Sequence, residues 1–302
     1  MRKNQRITRI DGHVPDDFIV CLRSSVDFDR GPDTEEDDVW VVRVVNNKPQ
    51  LLFIGPGVIS DCAVLPSGQV LLTGVIGGKS GVFALDSAGH GANLLQEGLF
   101  LGVRAIDDEL VIAWGGTAHE PVCWRMLNGE WVEYVSQPLL VGVYGLHKDL
   151  VIATTQSGGV RRLRGEVSKE MPYAIPELIS DVFIENETML WAVTMQGTVL
   201  QSFGDEWHRY ASLSGHHTNP MVVANGIVQW EKKLIVSLGV NGLAQVIDDK
   251  LVELNRYCKP IQIVGMKNSL ITVERELITI WKTETDRKNL LLTDIKRTVS
   301  YA

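Results

Sequence analysis

Short apolar runs recur along this chain at a nearly constant spacing. Each run holds four mostly apolar residues, and the runs begin at Phe18, Val70, Leu110, Leu150, Met189, Leu234 and Leu270. Successive starts lie 52, 40, 40, 39, 45 and 36 residues apart. A repeat near 40 residues in a β-rich chain is typical of propeller blades. The pattern therefore predicts a small sheet that is repeated along the chain, with each run as a central strand.

The unit over residues 99–138 shows the repeat most clearly. It contains an Asn128-Gly129 pair between two β-type runs, and Asn-Gly is a strong signal for a tight hairpin because both turn positions need positive φ. Its predicted strands are 101–106, 110–114, 122–127 and 131–135. Four strands in meander order make one blade.

Applied to the whole chain, this spacing predicts an all-β fold, a seven-bladed β-propeller of four-stranded antiparallel blades. We expect one domain over residues 1–302. The predicted blades are 6–57, 58–98, 99–138, 139–177, 178–216, 217–260 and 261–295.

The arrangement resembles the seven-bladed WD40/YVTN-type propeller superfamily over nearly the whole chain. The marks of narrower families are absent: no Trp-Asp dipeptide ends the strands, no Gly-His pair opens each unit, and no double-glycine kelch pattern occurs. The resemblance implies the fold and leaves the chemistry open, because propellers include both enzymes and scaffolds.

The charge of the chain is concentrated in one segment. The net charge is −8, which disfavours direct binding to nucleic acid or to an anionic membrane. Residues 27–38, here called the acidic loop, contain seven acids and one arginine, a local net charge of −6. The loop is predicted between the second and third strands of the first unit.

We expect this loop to attract a basic protein partner. Clustered carboxylates raise the association rate with such a partner and imitate the phosphates that it binds elsewhere. A nuclease toxin is one such partner, so an immunity or antitoxin protein is the specific function predicted, with a monomer before binding. The predicted partner-binding residues are Asp27, Asp29, Asp33, Glu35, Glu36, Asp37, Asp38, His119 and Glu120.

A hydrolase or lyase acting on a glycan-like or lactone substrate is the alternative. Asp61 and Asp181 follow the same Ile-Ser pair three units apart, on predicted innermost strands, and two carboxylates are the usual groups of glycoside chemistry. The competing interpretation is that these acids cap strand amides, because residues matched between repeats usually serve the fold. A scaffolding or sensory module is a third alternative. We predict a protein that is not an enzyme.

The remaining features predict no cofactor and no metal site. The four cysteines lack CxxC spacing and lie in apolar segments, which is typical of reduced, buried thiols in a cytoplasmic protein. The histidines lack metal-ligand spacing. No apolar run approaches the roughly eighteen residues that span a bilayer.

Overall fold

A computed structural model of the chain describes residues 4–85, 91–117, 119–127, 129–134, 138–164, 167–172, 177–204, 206–213 and 223–299. Within these ranges the secondary structure is almost entirely β-strand, with two short 3-10 helices, Phe28–Arg30 and Gly239–Asn241, and one α-helix, α1 (Leu292–Val299). In each sheet, strands that are consecutive in the sequence lie side by side. The all-β meander predicted from the sequence is confirmed.

The first sheet has seven strands in sequence order. They are β1 (Asn4–Val14), β2 (Asp17–Ser25), β3 (Asp38–Val45), β4 (Lys48–Val64), β5 (Val70–Ile76), β6 (Lys79–Leu85) and β7 (Ala92–Glu97).

Three four-stranded sheets follow. The first contains β8 (Phe100–Ala105), β9 (Leu110–Gly116), β10 (Pro121–Leu127) and β11 (Glu130–Glu133). The second contains β12 (Leu140–His147), β13 (Leu150–Thr155), β14 (Val160–Arg164) and β15 (Val167–Met171). The third contains β16 (Ile179–Ile184), β17 (Met189–Thr194), β18 (Val199–Phe203) and β19 (Glu206–Ala211).

Two further four-stranded sheets complete the described strands. One contains β20 (Gly226–Trp230), β21 (Lys233–Ser237), β22 (Leu243–Ile247) and β23 (Lys250–Asn255). The other contains β24 (Gln262–Met266), β25 (Ser269–Val273), β26 (Leu277–Trp281) and β27 (Arg287–Leu291).

The number of blades differs from the prediction. Five four-stranded sheets are present in the described ranges, whereas the sequence predicted seven, so the count of seven is corrected to five. The cause is β4, which continues for 17 residues where a boundary was predicted between 57 and 58. It pairs with β3 up to Pro56 and with β5 from Gly57, so that the two predicted units become one seven-stranded sheet.

Gly57 permits this change of partner. Its φ is +141°, and a Cβ at this position would lie 2.0 Å from the Val75 carbonyl oxygen, a distance that no side chain tolerates. Its amide donates to the carbonyl of Asp37 at 2.9 Å, which ties the start of the second half of β4 to the acidic loop.

The seven apolar runs become the second strands of their predicted units: β2, β5, β9, β13, β17, β21 and β25. They are the most buried segments, because each lies between two strands and packs on both faces. Leu71, Ile112 and Ile152 are examples of side chains with no measurable exposure. This periodic burial is the physical origin of the periodic sequence.

The chain divides into two compact units. Unit 1 contains residues 1–141, 275–278 and 289–302, and unit 2 contains residues 142–274 and 279–288. In unit 1 the core includes a cluster around Cys21, Leu72 and Phe83. In unit 2 a comparable cluster surrounds Leu190 and Leu200.

The C-terminal segment of unit 1 secures its first strand. The amide of Ile7 in β1 donates to the carbonyl of Arg275 at 2.9 Å, and α1 packs against β4 with Ile295 fully buried.

Candidate functional site

The acidic loop joins β2 to β3 and has defined local structure at its start. Asp27 caps the 3-10 helix Phe28–Arg30, because its carboxylate accepts a hydrogen bond from the amide of Asp29 at 2.9 Å. Asp and Ser favour such capping positions since their short side chains reach the exposed amides of a helix start. This part of the loop is therefore held by one of the acids that was predicted to contact a partner.

A second acid organises the next turn of the loop. The carboxylate of Asp33 accepts hydrogen bonds from the amides of Glu35 at 2.9 Å and Glu36 at 3.1 Å. The carbonyl of Asp33 also accepts from the amide of Asp37 at 3.0 Å. The side chains of Glu35 and Glu36 are left facing solvent.

Asp37 is buried and differs from the other acids of the loop. It is 1% exposed, and its carboxylate lies 2.5 Å from the Nε of Arg23 in a buried ion pair. The same carboxylate accepts from the amide of Asp33 at 3.0 Å. Burial acts against its ionisation, but the hydrogen bonds from Asp33, Ser25 and Arg23 outweigh it and lower the pKa of Asp37. Asp37 therefore anchors the loop from within, and its contact with a partner stays an untested prediction.

Two guanidinium groups fix the aromatic residue of the loop. The Arg6 guanidinium lies 4.2 Å from the ring centre of Phe28, and that of Arg23 lies 5.0 Å from it. Arg23 also donates to the carbonyl of Gly31. Arg23 thus contacts the loop at Phe28, Gly31 and Asp37, and it links these three residues to strand β2.

The loop presents its remaining charge to solvent. Half-buried Asp38 is the first residue of β3. The exposed acids are Asp27, Asp29, Asp33, Glu35 and Glu36. Anchored backbone and exposed carboxylates together form a preorganised anionic surface.

His119 and Glu120 lie on a turn between β9 and β10, and both are exposed. The turn is closed by hydrogen bonds in both directions between Thr117 and Glu120: the Thr117 amide donates to the Glu120 carbonyl at 3.0 Å, and the Glu120 amide donates to the Thr117 hydroxyl at 3.0 Å. This turn joins the second strand of its sheet to the third. The acidic loop makes the same type of connection, from β2 to β3.

Within unit 1, a series of backbone hydrogen bonds leads from the acidic loop to the turn that carries His119. Beyond the contact of Gly57 with the acidic loop, Gly77 donates to Pro56 at 3.0 Å, Gly98 donates to Ser80 at 3.1 Å, and Gly116 donates to Leu99 at 2.7 Å. Each bond joins a residue at the start of an innermost strand to a residue in or next to a connection between second and third strands. The acidic loop, the Gly77–Gly78 turn and the His119 turn therefore lie at one end of unit 1, here called the loop end.

The aspartates of the alternative enzymatic hypothesis bind backbone amides. Asp61 in β4 accepts from the amide of Val103 in β8 at 3.3 Å. Asp181 in β16 accepts from the amide of Ile227 in β20 at 2.8 Å. The interpretation that these acids cap strand amides is confirmed. Asp61 belongs to unit 1 and Asp181 to unit 2.

Asp11 acts in the same way and was not identified from the sequence. Its carboxylate, in β1, accepts from the amide of Val64 in β4 at 2.8 Å. Desolvation by the surrounding strands raises the pKa of Asp11, although Arg104 opposes this effect. The sequence gives no clear signal for this role, because the apolar residues of β1 (Ile7, Ile10 and Val14) are three and four positions apart and do not alternate.

The surroundings of Asp61 are similar. Burial raises the pKa of Asp61, and the positive charges of Arg104 and Arg9 oppose it. The Nε of Arg9 lies 3.6 Å from the Asp61 carboxylate, and the Arg9 side chain is 45% exposed. The innermost strands of unit 1 thus carry an interleaved set of acids and arginines.

Three further observations concern the described part of the chain. No group of three or more His, Cys, Asp or Glu side chains in the described ranges is arranged to hold a metal ion. Among the helices described here, none is long and apolar enough to span a membrane. None of the four cysteines forms a disulfide, and all four are buried.

Comparisons with known proteins show the fold. No family model matches the chain, and no curated protein matches it in sequence. Among solved structures, the WD40 β-propeller domain of Doa1 is similar with a TM-score of 0.66 and 8% identity, over 94% of this chain and 95% of that chain. YCF48 bound to the D1 peptide has a TM-score of 0.65 and 8% identity, over 93% and 94% of the two chains.

The β-propeller domain of the Trilobed protease from Pyrococcus furiosus is also similar, with a TM-score of 0.60 and 10% identity over 99% of this chain and 98% of that chain. At these identities the likeness shows the fold alone. The chain has a β-propeller fold with four-stranded antiparallel blades.

Proposed function

We propose that this protein is a non-catalytic binding propeller whose acidic loop captures a basic segment of a protein partner. The observation that carries the proposal is the combination of five exposed carboxylates with a backbone anchored by the buried Asp37–Arg23 pair. A rigid anionic surface attracts a cationic partner over a distance and loses little conformational entropy on binding.

The similar solved structures are compatible with this function. YCF48 was solved bound to the D1 peptide, so a propeller of related shape binds a peptide. The chemistry of the partner is inferred here from the charge of the acidic loop, with a net charge of −6 over twelve residues. Neutralisation of a basic nuclease toxin in the cytoplasm would be one specific form of this function.

The proposal is tested with a charge-neutralised variant and a fluorescein-labelled nona-arginine peptide as the basic probe. Asn and Gln replacements keep the acceptor oxygens that Asp27 and Asp33 use in the turns while removing their charge. A control variant neutralises the same number of exposed acids outside the loop. The loop variant carries Asp27→Asn, Asp29→Asn, Asp33→Asn, Glu35→Gln and Glu36→Gln; the control carries Glu97→Gln, Glu130→Gln, Glu133→Gln, Asp248→Asn and Asp249→Asn.

Fluorescence anisotropy at low and high salt measures binding to the wild-type protein and both variants. We expect the loop variant to bind about tenfold more weakly at 50 mM salt and to lose most of its salt dependence, because screened surface charges act mainly on association. The control variant should keep most of the affinity. Equal weakening by the two variants would show that net charge, and not the loop, determines binding.

The toxin form requires a further experiment. The basic product of a reading frame adjacent to this one is purified and assayed for cleavage of labelled DNA with and without the propeller. Inhibition that the loop variant loses would support this form. A protein partner that binds the loop without being a nuclease would leave the general function standing and refute the toxin form.

A further inference from the structure

Two connections of unit 2 carry the most exposed large apolar side chains among the described residues. Tyr257, between β23 and β24, is 84% exposed, and Val240, between β21 and β22, is 65% exposed. No other large apolar side chain in the described ranges exceeds 55%. Side chains exposed to this degree contribute little to a core, so the packing of unit 2 does not account for them.

The two connections contact each other directly. Gly242 ends the turn that carries Val240, and a Cβ on Gly242 would lie 2.1 Å from the Asn255 carbonyl oxygen and 2.8 Å from the Cα of Arg256. The turn therefore packs on the two residues before Tyr257. Since Val240 is two residues from Gly242, chain geometry limits the distance between the Cα atoms of Val240 and Tyr257 to about 15 Å.

Hydrogen bonds fix the backbone of both connections. The amide of Leu238 donates to the carbonyl of Gly242 at 2.8 Å. The side-chain oxygen of Asn255 accepts from the amides of Tyr257 at 2.8 Å and Cys258 at 3.2 Å. Cys258 is buried, so the residue after Tyr257 ties this connection to the core. A side chain on a fixed backbone loses little conformational entropy when it binds.

The fold does not require an apolar residue at position 240. The turns over residues 155–159 and 194–198 also join second to third strands, and in each the amide of the first residue donates to the carbonyl of the fifth at 2.9 Å. The third residue of these turns is Ser157 or Gln196, and both are exposed. Val240 is the third residue of the corresponding turn over 238–242, so a polar residue would serve the turn equally well.

The surroundings of Tyr257 are positively charged, in contrast to the net charge of −8 of the whole chain. Residues 238–242 and 256–261 contain two cations, Arg256 and Lys259, and no acid. Both cations are exposed, and the Arg256 guanidinium lies 5.9 Å from the ring centre of Tyr257. The charge complementary to this surface is an acidic one.

We propose that Val240, Arg256, Tyr257 and Lys259, here called the tyrosine patch, bind a protein segment that carries a large apolar side chain among acidic residues. Tyr and Arg are enriched among the residues that dominate protein interfaces, and carboxylates pair well with both cations. Nucleic acids and anionic membranes bind through larger groups of cations, so the patch favours a peptide. The inference goes beyond the proposed function, because this partner segment has the opposite charge and binds unit 2.

The test uses three fluorescein-labelled nonapeptides and measures anisotropy at 50 mM salt. The acidic Trp-Leu peptide is Gly-Glu-Asp-Glu-Trp-Leu-Glu-Asp-Gly. One control peptide has Ser-Ser in place of Trp-Leu, and the other has Gln and Asn in place of the acids. We expect the wild-type protein to bind the acidic Trp-Leu peptide at least about fivefold more tightly than either control peptide.

Two double variants assign the contacts. Val240→Gln with Tyr257→Ser should abolish the preference for Trp-Leu over Ser-Ser, and glutamine suits this turn because Gln196 occupies the corresponding position. Arg256→Gln with Lys259→Gln should abolish the preference for the acids. All four positions are exposed, so thermal unfolding of both variants should stay close to that of the wild-type protein.

Matched control variants change the same kinds of residue elsewhere in unit 2. Ile247→Gln with Val252→Thr removes two other exposed apolar side chains. Lys148→Gln with Lys288→Gln removes two other exposed cations. Both control variants should keep the wild-type preferences.

The outcomes also separate this inference from the proposed function. Binding of the acidic Trp-Leu peptide that is absent, or no tighter than that of a control peptide, overturns the inference. So does a preference that survives in the patch variants or is lost equally in the control variants. Tighter binding of a nonathymidine oligonucleotide, lost on Val240→Gln with Tyr257→Ser, would replace the peptide with a nucleic acid. The charge-neutralised loop variant should keep the preference, so failure of the nona-arginine experiment leaves this inference standing.

Discussion

The guanidinium of Arg23 and the carboxylate of Asp37 form an ion pair of 2.5 Å in which Asp37 is 1% exposed. The pair links strand β2 to the end of the acidic loop, and Asp37 accepts a further hydrogen bond from Asp33. One buried acid therefore holds a loop in which five other acids are exposed to solvent. The arrangement separates anchoring from recognition within a single run of like charges.

We predict that Arg23→Ala lowers the free energy of unfolding by about 3 kcal/mol, because it leaves a buried carboxylate without its counter-charge. Arg43→Ala is the matched control, since Arg43 pairs with Asp17 at 2.6 Å but both side chains are about one-third exposed. The control should cost about 1 kcal/mol or less. Urea unfolding at pH 7 measures both, and equal losses would contradict the buried character of the first pair.

The lowered pKa of Asp37 predicts a dependence on pH. A carboxylate whose folded pKa is below its unfolded value of 3.8 stabilises the folded state above pH 3.8, and this contribution is lost as the pH falls through the folded pKa. The stability difference between the wild-type protein and Asp37→Asn should therefore be largest near pH 7 and shrink as the pH falls below 3.8. Urea unfolding between pH 7 and pH 3 measures the difference, and a difference that does not vary with pH would refute the prediction.

The raised pKa of Asp61 predicts a change of stability with pH that has the opposite sign. Its folded pKa is raised above 3.8, so its ionised form costs stability at neutral pH, and protonation relieves this cost as the pH falls through the raised pKa towards 3.8. Asp61→Asn keeps an acceptor for the Val103 amide and has no charge. The wild-type protein should gain stability relative to this variant between pH 7 and pH 4. A wild-type protein that loses stability relative to the variant over that interval would show that Arg9 and Arg104 outweigh desolvation.

Parts of this molecule were predictable from the sequence, and the reason is periodicity. Leu71 and Ile112 lie on strands packed from both sides, and such strands must be apolar in every unit, so their spacing reveals the sheets. The amide-capping role of Asp61 was likewise accessible, because the same Ile-Ser-Asp sequence recurs at residues 179–181. Repetition makes structural roles visible.

The features that were missed do not repeat. A blade boundary was predicted between residues 57 and 58, but β4 continues through it, because Gly57 adopts a positive φ in a close-packed position where β4 changes its partner from β3 to β5. Asp37 resembles its acidic neighbours, and only its partner Arg23, fourteen residues earlier, makes it a buried anchor. Local sequence does not contain that distant pairing.

Helix α1 predicts a stability effect at the other end of the chain. Ile295 is fully buried where α1 packs against β4, and the amide of Leu292 donates to Glu276 at 2.9 Å. Ile295→Ala should lower the free energy of unfolding by about 3 kcal/mol, as expected for a large-to-small change in a packed core. Leu291→Ala, at an exposed neighbouring position, should cost less than about 1 kcal/mol. Similar losses in urea unfolding would mean that α1 contributes little to unit 1.

The anchoring role of Arg23 also predicts how binding responds when the loop is loosened. Arg23→Ala makes the net charge −9 instead of −8, so attraction by charge alone would strengthen the binding of a nona-arginine peptide. Loss of the anchor acts in the other direction, because a loosened loop must be ordered when it binds. We expect the anchoring effect to dominate and the affinity to fall about threefold to tenfold, measured by anisotropy well below the unfolding temperature.

Arg43→Ala changes the net charge equally without touching the loop, and it should leave the affinity unchanged or slightly raised. Tighter binding by Arg23→Ala than by Arg43→Ala would show that the loop acts as a flexible charged chain and not as a preorganised surface.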